Sequence, residues 1–284
     1  MTCSHNIDWN AAFFQPTDLP TALSIREHYG RGITPVAGAT SVGRSINAGE
    51  FNGGRILDLS RIRGFATIDV REDYTEMGAG ICFRQLERPS LGALSIAAKG
   101  VGGPAIRNRA TLGGNLATAR NDGDGSVAAL ALSCELELRS VARGSRRISI
   151  DHFFGATAGL TDIKDDELLT RIFIPSNQQS AWCEVGSRIG ASHSIICCAA
   201  SISKKGEVRL AFGGAAPAVC RVQKAEKVAS VGGLSDQSIR KAMDVVRAEV
   251  KPITDWHGSA QYRREMCAIM TKRVLSSLRD TKQK

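Results

Sequence analysis

The sequence predicts an α+β protein of more than one domain, and three observations predict it. First, the chain has 284 residues, 43% of them hydrophobic, enough to bury a substantial core and too many for one small domain. Second, apolar runs of strand length alternate with helix-length amphipathic segments, and glycine-rich stretches interrupt them. Third, the pattern changes after a polar break at residues 176–180, beyond which an antiparallel meander precedes several helices.

The elements justify that class in order. Residues 18–29 read as a helix, with Thr17 or Asp18 as its cap, Leu19, Leu23 and Ile25 on its apolar side, and Gly30 as its stop. Residues 33–36 read as a short buried strand, 55–59 as a second and 74–79 as a third. Residues 81–87 turn into a helix, 94–99 are helical, and 125–133 form an Ala- and Leu-rich helix. Residues 134–141 read as a half-buried strand, because Cys134, Leu136 and Leu138 alternate with Glu135, Glu137 and Arg139 at a two-residue period. Arg143-Gly144 makes the turn to a hairpin partner at 147–150. Residues 168–174 form a strand closed by Pro175. Beyond the break, 194–203 and 208–212 pair around the turn at 204–207, and helices follow at about 221–230, 235–249 and 259–278. The sequence divides at residues 175 and 180 into two domains, 1–175 and 180–284, the first with lobes at about 1–54 and 55–175.

The segment over residues 100–115, GVGGPAIRNRATLGGN, carries most of the functional information. Its glycines let a backbone approach a ligand closely, and consecutive exposed amides form a concave anion site. A stretch of the same character, Val36, Ala37, Gly38, Ala39, Thr40 and Ser41, follows the strand at 33–36. Two phosphate-cradling segments point to a ligand with more than one phosphate, hence a dinucleotide. Neither has the G-x-G-x-x-G of a Rossmann turn or the G-K-[ST] of a Walker loop.

Composition excludes several other classes. The net charge is +9, but aromatic residues make up 5% of the chain and Lys and Arg are dispersed, which points away from nucleic acid toward a basic enzyme surface or a docking face for an acidic partner. No apolar run approaches the roughly 18–20 residues of a membrane span, and MTCSHNIDWN has no basic start leading into an apolar stretch. A cytoplasmic location is therefore expected. The eight cysteines, Cys3, Cys82, Cys134, Cys183, Cys197, Cys198, Cys220 and Cys267, form no C-x-x-C pair, which argues against zinc or an iron–sulfur cluster. They read as small hydrophobes in a reducing compartment. His5, His28, His152, His193 and His257 never pair at ligand spacing, so no metal site is expected. Asp165-Asp166 reads as a solvated turn.

Read together, these motifs resemble those of the FAD-binding medium subunits of molybdenum hydroxylases, the xanthine dehydrogenase and carbon monoxide dehydrogenase type. An A-G-G-T-D-L-like loop is present as Ala37-Gly38-Ala39-Thr40-Ser41-Val42, and an I-R-N-x-[AG]-T-x-G-G-N segment runs from Ile106 to Asn115 without a gap. An aspartate follows at Asp124. An R-x-A-x-G-x-x-A-P-like stretch covers residues 209–217, and an S-A-x-Y-R-R-like helix start covers 259–264. The motifs keep family order across nearly the whole chain.

The resemblance implies a two-lobed FAD-binding domain of the vanillyl-alcohol-oxidase/molybdopterin-dehydrogenase type, followed by an antiparallel sheet with helices. It implies that Val36 to Val42 bind the cofactor, with the amides of Ala37 to Ser41 and of Gly113, Gly114 and Asn115 cradling the FAD pyrophosphate, and that Thr40, Thr111 and Thr118 add hydroxyl donors. Asp124 would accept from a ribose or adenine donor. Gly102 and Gly103 would let the backbone approach the ring system, with Val101 as a wall and Leu169 packed on the flavin. It further implies an oxidoreductase subunit, incomplete alone, that passes electrons from [2Fe–2S] clusters of a small partner through FAD to NAD+ or another acceptor, beside a large molybdenum-cofactor subunit.

Three residues depart from the family pattern. Glu184 stands where a Lys near the flavin's pyrimidine end is usual, and its charge opposes an anionic reduced flavin. Ser192 stands at a frequent Asp, and Ser41 replaces an acid in the first loop. Two rivals are a free-standing flavin oxidoreductase of the same fold and a flavin-less scaffold subunit. The first is disfavoured because the glycine segment holds no His or Cys for covalent flavin attachment.

Overall fold

A computed structural model describes residues 7–52, 54–186 and 194–282. Near the N-terminus, β1 (Phe13–Phe14), α1 (Leu19–Tyr29), β2 (Ile33–Val36), α2 (Thr40–Asn47) and β3 (Arg55–Asp58) form a small lobe. Its three-stranded sheet is parallel, in the order β1-β3-β2. Asp18 caps α1 by accepting from the Thr21 amide at 2.9 Å, and Gly30 ends it at φ 50°. Because β3 lies between β1 and β2, the lobe expected to end at residue 54 includes this strand, and the division falls after it. The helix α2 was not expected. It follows the first glycine segment directly, where the absence of a capping side chain hides its start in the sequence.

The second lobe contains β4 (Ile68–Val70), β5 (Tyr74–Gly78), α3 (Phe83–Leu86), α4 (Ala93–Gly100), α5 (Pro104–Arg107), α6 (Leu112–Thr118), α7 (Asp124–Ala131), β6 (Glu135–Ser140), β7 (Gly144–Ser149) and β8 (Leu168–Pro175). Its five strands are antiparallel in the order β4-β5-β8-β6-β7. The hairpin expected to turn at Arg143-Gly144 turns at 141–143 instead, so its return strand begins at Gly144. The end of the long glycine segment is helical, not an open loop: Thr111 caps α6 through the Gly114 amide at 3.1 Å.

The C-terminal domain is a four-stranded antiparallel sheet, β12-β11-β10-β9, made of β9 (Gln178–Gly186), β10 (Ser194–Ser203), β11 (Val208–Gly213) and β12 (Cys220–Arg221). Helices α8 (Gln223–Val231) and α10 (Ala260–Lys282) pack against it, and α9 (Asp236–Glu249) packs on those two helices. The polar break expected at 176–180 is shorter in the structure, because β9 already begins at Gln178 and pairs with Ser203. Its polar residues are those of an edge strand.

Two apolar clusters result, one uniting the two lobes and one inside the C-terminal domain. Cys197, Ala199 and Ala211 face the first cluster, whereas Cys198, Ala200 and Phe212 face the second. The strand β10, buried from Ser194 to Ile202, thus serves both domains with alternate residues. All residues of α7 are buried. The described cysteines are free, and those at 134, 197, 198 and 267 are buried, where the thiol fills core volume. The Asp165 and Asp166 carboxylates pair with Arg31 and Arg143 at the surface.

A buried carboxylate ties β11 to α8. Glu226 accepts from the Leu210 amide at 2.8 Å and from Arg221 Nε and Nη2 at 2.8 and 2.6 Å. Glu226→Ala removes the acceptor and leaves the Leu210 N–H buried. Its urea midpoint is expected to fall by the equivalent of about 2–4 kcal/mol, without a change in the slope of the transition.

Candidate functional site

The two N-terminal lobes leave a cavity of about 830 Å³ between them, within the range of volumes that accommodate a large organic ligand. One side is built from β2 and the start of α2. The chain leaves β2 at Val36, and Ala39 takes the left-handed conformation at φ 57°. The next residues then enter α2 with their amides pointing outward. Among the described residues, no backbone amide from Gly38 to Val42 has a protein acceptor; the first helical bond is donated by Gly43. A left-handed residue followed by the free start of a helix is a concave row of donors, suited to phosphate oxygens. Gly38 makes the row possible. A Cβ there would lie 1.9 Å from the Arg109 carbonyl oxygen, so the two glycine segments touch backbone to backbone.

The second segment works differently from the expectation. Its amides are already used: Gly113 donates to Ala79 O at 2.9 Å, Gly114 to Thr111 Oγ1 at 3.1 Å and Asn115 to Thr111 O at 3.0 Å. Thr118 Oγ1 donates to Gly114 O at 2.5 Å, so its hydroxyl proton is committed. These residues therefore contribute a smooth wall instead of a row of donors. Their chain approaches so closely because α6 packs on the turn at 79–81. Asn115 Oδ1 accepts from Ser126 N at 2.9 Å and Ser126 Oγ at 3.0 Å, which leaves its amide nitrogen as the polar group available to a ligand.

Val36 to Val42, Val101, Gly102, Thr111, Gly113 to Asn115, Thr118, Asp124 and Leu169 all border the cavity. Gly103 borders it as well. Glu184 does not. It sits on β9, accepts from Trp182 Nε1 at 3.1 Å and lies against Gly100, behind the Val101 wall. It acts on the cavity through its charge. Ser192 lies outside the described residues. The sequence reading missed Arg26, Arg44, Phe65, Phe83 and Ile163, which also line the cavity. Arg26 was discoverable. It stands three and four residues after Leu23 and Ala22 on the buried side of α1, where a guanidinium needs a special reason. It donates to the carbonyls of Gly30, Ile33 and Glu167.

Asp124 is the most perturbed ionisable group on the wall. It opens α7, is 9% exposed and accepts from Ser194 Oγ at 2.8 Å. Burial, reinforced by the Glu184 charge, pushes its carboxyl up to about 7, against the opposing hydrogen bonds from Ser194 and Cys197. Nearby Arg120 is tied to Asp122 by two hydrogen bonds of 2.8 and 2.7 Å. Among the described residues, no group of three or more His, Cys, Asp or Glu side chains is placed to hold a metal ion. No helix among them is long and apolar enough to cross a membrane.

The raised carboxyl has a consequence for stability. The folded chain retains a proton on Asp124 that the unfolded chain has released, so stability falls as pH rises from about 4 toward 7. Asp124→Asn removes this dependence and keeps an acceptor for Ser194. The ligand-free variant is expected to be more stable than the parent at pH 8, by about 2–4 kcal/mol, with little difference at pH 4. Urea titrations at the two pH values check this.

Comparison with known proteins agrees with this architecture. Residues 7–177 match the FAD binding domain in molybdopterin dehydrogenase, and residues 182–278 match the CO dehydrogenase flavoprotein C-terminal domain. The chain is 32% identical over 235 residues to the xanthine dehydrogenase FAD-binding subunit of Escherichia coli O157:H7, covering 78% of this chain and 80% of that one. It is 30% identical over 229 residues to the nicotine 6-hydroxylase medium subunit of Paenarthrobacter nicotinovorans, with the same coverage. Among solved structures, a chain of carbon monoxide dehydrogenase from Hydrogenophaga pseudoflava superposes with a TM-score of 0.87 at 23% identity, covering 94% of this chain and 96% of that one. Quinoline 2-oxidoreductase from Pseudomonas putida 86 gives 0.85 at 20% identity, covering 96% and 98%. At those identities the structures establish the shared fold. With both domain families matched in order, and with the donor row and carboxylate brought to one cavity, the chain belongs to the FAD-binding medium subunits of the xanthine dehydrogenase and carbon monoxide dehydrogenase family.

Proposed function

We propose that the chain holds FAD non-covalently in this cavity and acts as the electron-transfer subunit of a cytoplasmic molybdenum hydroxylase complex. Electrons would reach it from [2Fe–2S] clusters on a small partner subunit, after substrate oxidation at a molybdenum cofactor on a large one. They would leave to NAD+ or another acceptor. The observation that carries this reading is the row of unpaired amides from Gly38 to Val42, which opens into a cavity large enough for a dinucleotide. The relatives support the assembly: several are themselves named medium subunits or medium chains, including the carbon monoxide dehydrogenase medium chain of Hydrogenophaga pseudoflava.

The chain's own residues would divide the work. Amides 38–42 hold the diphosphate, with the Thr40 and Thr111 hydroxyls beside them. Asp124 accepts from a sugar or base donor of the ligand. Gly102 and Gly103 admit the ring system, while Val101 and Leu169 exclude water from its faces. Glu184 contributes a negative field from behind the wall. Bound there, the flavin supplies the exchange between one-electron and two-electron transfer.

The purified chain is expected to be yellow or to take up one FAD, to discriminate against FMN, and to release the flavin on acid precipitation. Gly114→Val tests the cavity itself. A Cβ at this position would lie 2.9 Å from Thr111 Oγ1, so that capping hydroxyl must give way, and because Gly114 borders the cavity the valine also takes up ligand space. FAD retention should be lost while the far-UV circular dichroism stays that of the parent; a variant that binds FAD like the parent would remove α6 from the site. In native lysate the chain should migrate with a molybdenum-containing large subunit and an iron–sulfur small subunit. A native mass equal to the single chain, with full substrate turnover by that chain alone, would contradict the subunit reading.

A further inference from the structure

Arg263, on the first turn of α10, is 4% exposed. Its Nη2 donates to both carboxylate oxygens of Asp255 at 2.7 Å, which fixes the plane of the guanidinium. Its Nη1 donates to Ile195 O at 2.8 Å and Gly214 O at 3.4 Å. The side chain therefore joins the start of β10 to the turn that follows β11. Those two segments are pressed together: Gly214 has φ +72°, and a Cβ there would lie 2.3 Å from Ile195 O.

Both segments continue to the loop that carries Asp124. Ser194, adjacent to Ile195, donates its hydroxyl to Asp124 Oδ1 at 2.8 Å. Gly214 donates its amide to Asn121 O at 2.7 Å. One guanidinium thus closes a ring of contacts that leaves through Ile195 and Ser194, reaches Asp124, and returns through Asn121 and Gly214. Arg263 itself bonds Ile195 O, Gly214 O and Asp255, so it reaches Asp124 through these contacts. The groups that do face Asp124 are Ser194 and Cys197 on β10, Glu184 on β9, and Asp122 and Arg120 on its own loop.

We propose that Arg263 is a positioning residue for the cofactor site: from the C-terminal domain it holds the Ser194 hydroxyl on Asp124 and braces the loop beneath that carboxylate. The proposal rests on the reading that Asp124 accepts from bound FAD. It gives the C-terminal domain a defined part in a site whose walls come from the N-terminal lobes.

The test is FAD affinity of the full chain, read by flavin fluorescence from about pH 5 to about pH 9. The wild type should bind more tightly as Asp124 ionises, and Asp124→Asn should flatten that profile. Ser194→Ala removes a hydrogen bond that holds the carboxyl down, so its midpoint should move upward and its affinity fall about tenfold. Arg263→Met should move both in the same direction, and the Arg263→Met/Ser194→Ala double variant should move them no further than either single change. Asp255→Asn should give a smaller shift of the same sign, which keeps the test available if Arg263→Met does not fold. Arg263→Lys, which retains one donor, should recover part of the effect. A wild-type profile in Asp255→Asn and Arg263→Met overturns the proposal. So does an Arg263→Met affinity loss that is equally large in the Asp124→Asn background, because that describes a role independent of the carboxylate. If the wild type binds FAD with no pH dependence and Asp124→Asn binds equally well, the reading of Asp124 fails first, and the proposal with it.

Discussion

A helix without an exposed face is the constraint on which the rest of the structure depends. Every residue of α7, Asp124 to Ala131, is buried, so the unpaired groups at its two ends cannot turn to water. At the start, the Asn115 side chain accepts from Ser126 N and Oγ. At the end, Leu130 O accepts from Arg209, Ala131 O from Ser201 Oγ at 2.7 Å, and Leu132 O from Gln178 at 2.9 Å. The partners at the end all belong to the C-terminal domain. Burying α7 therefore requires the second domain to be docked, and the docking fixes where Asp124 stands.

The cavity follows from that arrangement, with its two sides supplied by different physics. On the α2 side the backbone offers donors, because a left-handed Ala39 and a helix start without a side-chain cap leave them unpaired. On the α6 side the backbone is satisfied and contributes closeness of approach. The two sides meet where Gly38 touches Arg109. The C-terminal domain adds a hydroxyl from Ser194 and a carboxylate field from Glu184. A carboxyl raised to about 7 beside an open cavity is costly to the empty fold at neutral pH. Such a cost is common where a buried polar group is retained for a ligand.

The sequence by itself determined most of the elements. The period of residues 134–141, the Asp18 cap, the buried run at 33–36 and the meander after 194 are local signals, and the corresponding strands and helix form within a residue or two of them. It also determined which residues gather at the cavity, since motif order carried Val36 to Val42, Thr111 to Asn115, Asp124 and Leu169 to one place. Tertiary structure alone decided what each does. The Gly113 and Gly114 amides look free in the sequence, yet Ala79 O and Thr111 Oγ1 occupy them. Glu184 looks like a cavity residue, yet β9 sets it behind Val101. Arg55–Asp58 looks like the start of a new lobe, yet its strand lies between β1 and β2. In each case the deciding partner is distant in sequence. Local pattern fixes which backbone conformation a segment prefers, but hydrogen-bond satisfaction and burial are settled only by what the fold brings beside it.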